Sequence, residues 1–212
     1  MGEQRTHWDR VYEGKAADQV SWYTPHLARS LAFIEAAGLA PDAAMLDVGG
    51  GASTLVDDLL ARRFSDITVL DLSAAAVRKA RERLGERAAS VRWVVGDVTE
   101  VELPEASVDF WHDRAVFHFL REEEARRRYV ASVRRAVKPG GHVLVATFGP
   151  DGPERCSGLD VLRYGAEEIH AEFGPAFRKV GSATEEHTTP GGSVQQFVYC
   201  YCRLPGGGGS GS

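Results

Sequence analysis

Ala44-Met45-Leu46-Asp47-Val48-Gly49-Gly50-Gly51-Ala52-Ser53 is the stretch that decides how the rest of the chain is read. A short apolar run carrying one acid is followed by three glycines, and an apolar helical pattern begins near Thr54. That succession is how a buried parallel strand turns into a helix over a ligand. Glycine is used where a ligand must approach the main chain closely or where φ is positive, so Gly49, Gly50 and Gly51 predict a backbone cradle. Alone, the turn leaves phosphate, dinucleotide and nucleoside ligands open.

Outward from that turn the chain alternates. Strands are predicted at Ala44–Val48, Ile67–Asp71, Val91–Val95, Val108–His112 and His142–Phe148, with helices at Thr54–Arg62, Ala74–Leu84 and Glu122–Val137. Such alternation predicts an α/β fold, a parallel sheet with helices on both faces. Upstream, Leu27, Leu31, Ile34 and Ala37 recur at helical spacing until Gly38 stops the helix. Lys138-Pro139-Gly140-Gly141 reads as a helix stop and a tight turn into the fifth strand. Phe177–His187 and Val194–Arg203, joined by Thr189-Pro190-Gly191-Gly192-Ser193, read as a terminal antiparallel hairpin.

Composition sets the bounds. The 212 residues, 43% hydrophobic and 26% charged, suit one globular domain at 1–205, with 1–40 as an N-terminal helical lid segment and 206–212 as a glycine-serine tail. A net charge of −5 argues against a nucleic-acid or anionic-membrane partner. Arg126 to Arg128 sit beside Glu122 to Glu124, the pattern of a solvated helix face. With no long apolar run and no signal-peptide pattern, a soluble cytoplasmic protein is expected. The three cysteines suit a reducing compartment. Cys200 and Cys202 share a strand face, Cys156 stands apart, and the spacing matches no common zinc pattern, so no metal is expected.

The known glycine fingerprints fail. The dinucleotide pattern wants a sixth-position glycine where Thr54 stands, and no Gly-Lys-Ser/Thr follows to make a P-loop. Three carboxylates instead fall at or just after later strand ends, where open sheets place their ligand crevice. Asp71 can accept both hydroxyls of a ribose. Asp97 can accept from an exocyclic amine while the Val98 backbone N–H donates to a ring nitrogen, which are adenine's needs. Asp113 lies nearest the expected reaction centre.

With these residues the sequence resembles the class I S-adenosylmethionine-dependent methyltransferases over residues 6 to 203. Leu46-Asp47-Val48-Gly49-Gly50-Gly51-Ala52-Ser53 matches the first motif, with Ser53 replacing the usual last glycine. Val69-Leu70-Asp71-Leu72-Ser73, Gly96-Asp97-Val98 and Lys138-Pro139-Gly140-Gly141-His142 match later ones. The resemblance implies a Rossmann-like three-layer sandwich whose seven-stranded, mostly parallel sheet has the order 3-2-1-4-5-7-6. It implies S-adenosylmethionine as the cofactor, with Asp71 on the ribose, Leu72 against adenine, Asp97 on the adenine amine and Gly49 to Gly51 bordering the methionine portion. Asp47 within the first motif, Trp22 and Asp113 complete the expected cofactor-binding set.

The acceptor is expected to meet three stretches: the N-terminal segment, the residues after the fourth strand, and the loop after the fifth. Trp8 and Tyr12 share a helix face and read as core packing; Trp22 and Tyr23, before Pro25, read equally as core or as a lid. Asp113-Arg114-Ala115 resembles a segment of thiol and thiopurine S-methyltransferases, and less closely one of lysine methyltransferases acting on elongation factors. Asp113, Arg114, His118, Tyr23 and Cys156 are the candidate catalytic residues. Arg114 is expected to pair with Asp113 in preference to an acidic substrate, and His118 to be as much a core histidine as a base. His187 reads as a turn residue. The preferred reading is methyl transfer to a small-molecule nucleophile such as a thiol; a protein lysine substrate and a non-catalytic S-adenosylmethionine-binding protein are the alternatives.

Overall fold

The computed structural model describes residues 2–206, so the tail from 207 to 212 lies outside the described residues. Helices α1 (Gly2–Gly14) and α2 (Ala28–Ala37) precede the first strand. Strand β1 (Ala44–Val48), helix α3 (Leu55–Ala61), strand β2 (Asp66–Asp71), helix α4 (Ala74–Leu84) and strand β3 (Val91–Val95) follow. Next come β4 (Val108–Arg114), α5 (Glu123–Ala136) and β5 (Val137–Phe148). A small hairpin of β6 (Arg155–Cys156) and β7 (Leu159–Asp160) and helix α6 (Ala166–Phe173) lead to β8 (Arg178–Thr188) and β9 (Val194–Arg203). Among the described residues no helix is long and apolar enough to cross a membrane.

The seven-stranded sheet has the order β3-β2-β1-β4-β5-β9-β8. Counting sheet strands alone, this is the expected 3-2-1-4-5-7-6; the labels differ because β6 and β7 pair with each other outside it. Strands β1 to β5 pair in parallel, and β9 runs antiparallel to both β5 and β8. Alternate residues of the central strands feed two cores. Leu46, Trp111 and Val145 pack with Tyr129 and Val133 of α5 and Ile169 of α6. Met45, Phe110 and Leu144 pack with Leu31 and Ile34 of α2 and Leu55 of α3. Both faces are thus covered, as a sheet built from apolar runs requires.

Local departures from expectation have physical causes. Strand β4 runs two residues past His112, because Asp113 and Arg114 still pair with Val145 and Ala146 of β5. Lys138-Pro139-Gly140-Gly141 is a bulge inside β5, where Gly140 has φ of 83° and its N–H donates to the Leu204 carbonyl. His187 lies within β8, its Nε2 bonded to the Ser21 carbonyl at 2.8 Å, so it is an anchor and not a turn residue. Helix α6 and the β6–β7 hairpin, with only two residues per strand, were not anticipated.

Candidate active site

At the carboxyl ends of the parallel strands lies a cavity of about 900 Å³, open mouth included, which Gly49 helps to line. Gly49 has φ of 69°, and a Cβ there would fall 2.1 Å from Val116 Cγ2. At Gly50 a Cβ would come within 2.2 Å of Asp47 Oδ2. The glycines therefore answer protein neighbours as well as any ligand, a correction to the purely ligand-driven reading. Gly50 borders a second, smaller cavity, and Gly51 lines neither of the two.

Asp71, Leu72, Asp97 and Val98 line the main cavity together, as their positions after β2 and β3 led one to expect. Asp71 accepts from the Gly51 N–H at 2.9 Å and the Ser73 N–H at 2.7 Å. Burial pushes its carboxyl up to about 6, against the pull of those two donors. Asp97 Oδ1 accepts from the Thr99 N–H and hydroxyl at 2.8 and 2.7 Å, which fixes the carboxylate's orientation.

Beneath the glycine turn sits a network the sequence reading missed. Asp47 Oδ1 meets His112 Nδ1 at 2.7 Å, and His112 Nε2 meets Ser30 Oγ of α2 at 2.9 Å, all three residues buried. The two-residue period that puts His112 on the same face as Phe110 was the available signal. Asp47 Oδ2 is buried without a hydrogen-bond partner among the described residues. Asp47 lines the second cavity with Gly50, Thr54 and His112, and that cavity shares Trp22, Gly49 and Arg114 with the main one. An orphaned buried carboxylate oxygen calls for a donor, best a cationic one.

Other expected residues separate. Asp113 and Arg114 are consecutive on a strand and so point to opposite faces, which removes the expected ion pair between them. Asp113, fully buried on the α5 side, accepts from the Tyr129 hydroxyl at 2.7 Å, the Val116 N–H at 2.9 Å and the Phe117 N–H at 3.1 Å. It lines neither cavity. Burial pushes its carboxyl up to about 6 even though the Tyr129 hydroxyl pulls it down. It ties down the chain after β4 and touches no ligand space. Arg114 lines both cavities. Its Nε donates to the Tyr199 hydroxyl and a terminal nitrogen to the Trp22 carbonyl, each at 3.1 Å, with the guanidinium 4.0 Å over the Phe197 ring.

His118 is fully buried, lines neither cavity, and holds a nitrogen toward the Phe148 N–H at 3.3 Å. Burial lowers its pKa to about 3, so it is the core histidine and not a base at this cavity. Cys156 does line the main cavity, but burial pushes its thiol up to about 12, so it is protonated at neutral pH. Tyr23 lines only the second cavity.

The remaining wall is aromatic. Trp22 belongs to a segment fixed by its backbone: His187 holds Ser21, Arg114 holds Trp22, and the Thr54 hydroxyl donates to the Thr24 carbonyl at 2.9 Å. Trp8 and Tyr12 do more than the expected core packing. Tyr12 packs on Ala52, Ala75 and Ala76, yet both rings line the cavity, Trp8 lying 5.8 Å from Trp22 and 5.1 Å from Phe119 between ring centres.

Comparison with known proteins fits this geometry. The family model described as "Methyltransferase domain" matches residues 46–145, the span from the glycine turn through β5. An uncharacterized methyltransferase of Mycobacterium bovis is 35% identical over 104 residues, covering 49% of this chain and 50% of that protein. A solved structure from work on the conversion of a disulfide bond into a thioacetal group during echinomycin biosynthesis superposes with a TM-score of 0.77 at 19% identity, covering 97% and 95% of the two chains. These likenesses support a class I S-adenosylmethionine-dependent methyltransferase domain over residues 46–145. Burkholderia thailandensis 1,6-didemethyltoxoflavin-N1-methyltransferase, solved with its substrate and S-adenosylhomocysteine, shares the fold at TM-score 0.65 and 20% identity, over 96% of this chain and 85% of that one. The match to the Mycobacterium relative spans about half of that protein's length. The cofactor of this methyltransferase family is S-adenosylmethionine. The residues present suit it: an orphaned carboxylate oxygen on Asp47 for an ammonium, and Asp71 and Asp97 for a nucleoside.

Proposed function

We propose that this methyltransferase acts on a compact apolar small molecule, a thiol or another soft nucleophile. In this reading Asp71 accepts from the ribose hydroxyls, Asp97 from the adenine amine, the Val98 N–H donates to an adenine nitrogen, Leu72 packs on the base, and Asp47 Oδ2 takes the methionine ammonium. When bound, S-adenosylmethionine supplies a methyl group already activated by the sulfonium, so transfer needs mainly an acceptor held in line at about 3 Å.

The observation that carries the acceptor class is the wall beyond the cofactor residues. Trp8, Tyr12, Trp22, Phe119, Cys156 and Leu159 line it, with Gln4 polar and Arg114 the one charged side chain there among the described residues. Among the described residues no base stands there: His118 and Asp113 lie outside the cavity, and the Tyr12 hydroxyl is held well above its ordinary pKa by burial. An acceptor must then shed its own proton. A thiol, with a pKa of about 8.5, does so near neutral pH far more readily than a lysine ammonium at about 10.4.

The test is transfer from labelled S-adenosylmethionine, first to a panel of aromatic and aliphatic thiols, then to lysate proteins. Label in small thioethers is expected. Label confined to protein bands would replace this reading with a protein lysine methyltransferase, and cofactor binding without any transfer would leave a binding protein. No S-adenosylhomocysteine binding by calorimetry would remove the cofactor assignment itself.

A further inference from the structure

The cavity has two kinds of cover, attached in different ways. The segment carrying Trp22 is part of the wall, its backbone carbonyls at Ser21, Trp22 and Thr24 each held by a side chain of the body, and His26 joined to Asp58 at 2.9 Å. Helix α1, which carries Trp8 and Tyr12, ends at Gly14 and is followed by exposed Lys15 and Ala16 before the chain reaches that wall. Besides the contact of Tyr12 with Trp22, its polar links to the body among the described residues go to α4 or the residue that caps it. Two of them, Glu13 with Arg78 at 4.0 Å and the Lys15 carbonyl with Lys79, are on the surface, where solvent screens them.

The third link is different. Asp9 Oδ1 accepts from the Ser73 hydroxyl at 2.6 Å and from the Ala75 N–H at 3.2 Å, in a part-buried position. Ser73 is the N-cap of α4, its Oγ also accepting from the Ala76 N–H at 3.1 Å. The Ser73 N–H in turn donates to Asp71 Oδ1. A short chain of bonds therefore runs from the helix that carries the cavity's roof to the carboxylate placed for the ribose. A charge-assisted bond of this kind is the strong sort, and the first turn of α4 favours an anion.

We propose that Asp9 is a positioning residue: it latches α1 onto the N-terminus of α4 so that Trp8 and Tyr12 close over the bound nucleoside, and cofactor exchange requires this latch to open. The proposal rests on the cofactor assignment above and not on the acceptor's identity. Asp9 touches neither cofactor nor acceptor; it acts through Trp8 and Tyr12 on one side and through Ser73 on the other.

The test measures release of labelled S-adenosylhomocysteine from the full chain, chased with unlabelled ligand. Asp9→Ala should release it about tenfold faster or more, having lost both bonds. Asp9→Asn keeps an oxygen able to accept both and should stay within about threefold of the unmodified chain. Glu13→Ala removes the surface pair on the same helix and should leave the rate unchanged. A rate for Asp9→Ala that matches the unmodified chain, or an equal rise in Glu13→Ala, overturns the latch. Independently of any variant, amide exchange across residues 3–14 should slow when S-adenosylhomocysteine is added, and no slowing there overturns it as well. Failure of the unmodified chain to bind S-adenosylhomocysteine would instead remove the cofactor assignment.

Discussion

Lowering the pH from about 7.5 to about 5 should weaken S-adenosylhomocysteine binding about tenfold, through Asp71. In the ligand-free fold this carboxyl is pushed up to about 6, burial being the largest cause, ahead of the opposing Ser73 and Gly51 N–H donors. On the proposed contact only the carboxylate would accept from both ribose hydroxyls, so binding would draw on the ionised fraction. One pH unit below the midpoint about a tenth of Asp71 is ionised, which raises the apparent Kd about tenfold, or about 1.4 kcal/mol. Fold stability has the opposite sign. The folded value lies above the unfolded 3.8, so the contribution of Asp71 to ligand-free stability is fully present below 3.8 and is lost as pH rises through about 6. The shift of roughly two units corresponds to about 3 kcal/mol. Isothermal titration calorimetry at several pH values gives the first quantity, and ligand-free denaturation the second. Asp113 also titrates near 6 but lines neither cavity, so Asp71→Asn is the decisive control and should flatten the affinity profile. Constant affinity across the window, or the same fall in Asp71→Asn, would refute the reasoning.

Gly50→Ala would set a Cβ 2.2 Å from Asp47 Oδ2 and 2.5 Å from its Cγ, and should cost about 1–3 kcal/mol in thermal unfolding together with a loss of S-adenosylhomocysteine affinity. Asp113→Ala strands the Tyr129 hydroxyl and the Val116 and Phe117 N–H groups, so its denaturation midpoint should fall by the equivalent of about 3 kcal/mol; an unchanged midpoint removes its tie-down role. With its thiol pushed up to about 12, Cys156 should resist iodoacetamide in the native chain and react once the chain is denatured, and rapid native labelling at that position would contradict the burial argument. Trp22→Ala keeps the carbonyl that Arg114 holds, so turnover should suffer while Tm moves by less than about 4 °C; a larger fall would make Trp22 chiefly a core residue.

The residues that line the main cavity from the strand ends were legible because their signals are local. Gly49, Asp71, Leu72, Asp97 and Val98 each follow a strand by a fixed offset, and strand ends in a parallel sheet converge on one edge. Asp113 obeyed the same rule and misled. Its strand continues for two more positions, and strand alternation turns Asp113 into the α5 core and Arg114 into the cavity. His118 was undecidable from its neighbours Phe117 and Phe119, and only complete burial separates a core histidine from a base.

By itself the sequence determined the layered α/β fold, the strand order implied by its family motifs, and the strand-end residues that line the main cavity, because five-residue apolar runs, glycine turns and strand-end acids depend on neighbours close in the chain. The acceptor wall and the Asp47–His112–Ser30 network were decided only by tertiary structure. Trp8, Trp22, Arg114, Phe119 and Cys156 come from separate stretches of the chain and meet only once α1 lies on α4 and the β6–β7 hairpin covers the mouth. No spacing encodes such a meeting; it follows from which faces the completed sheet leaves to be covered.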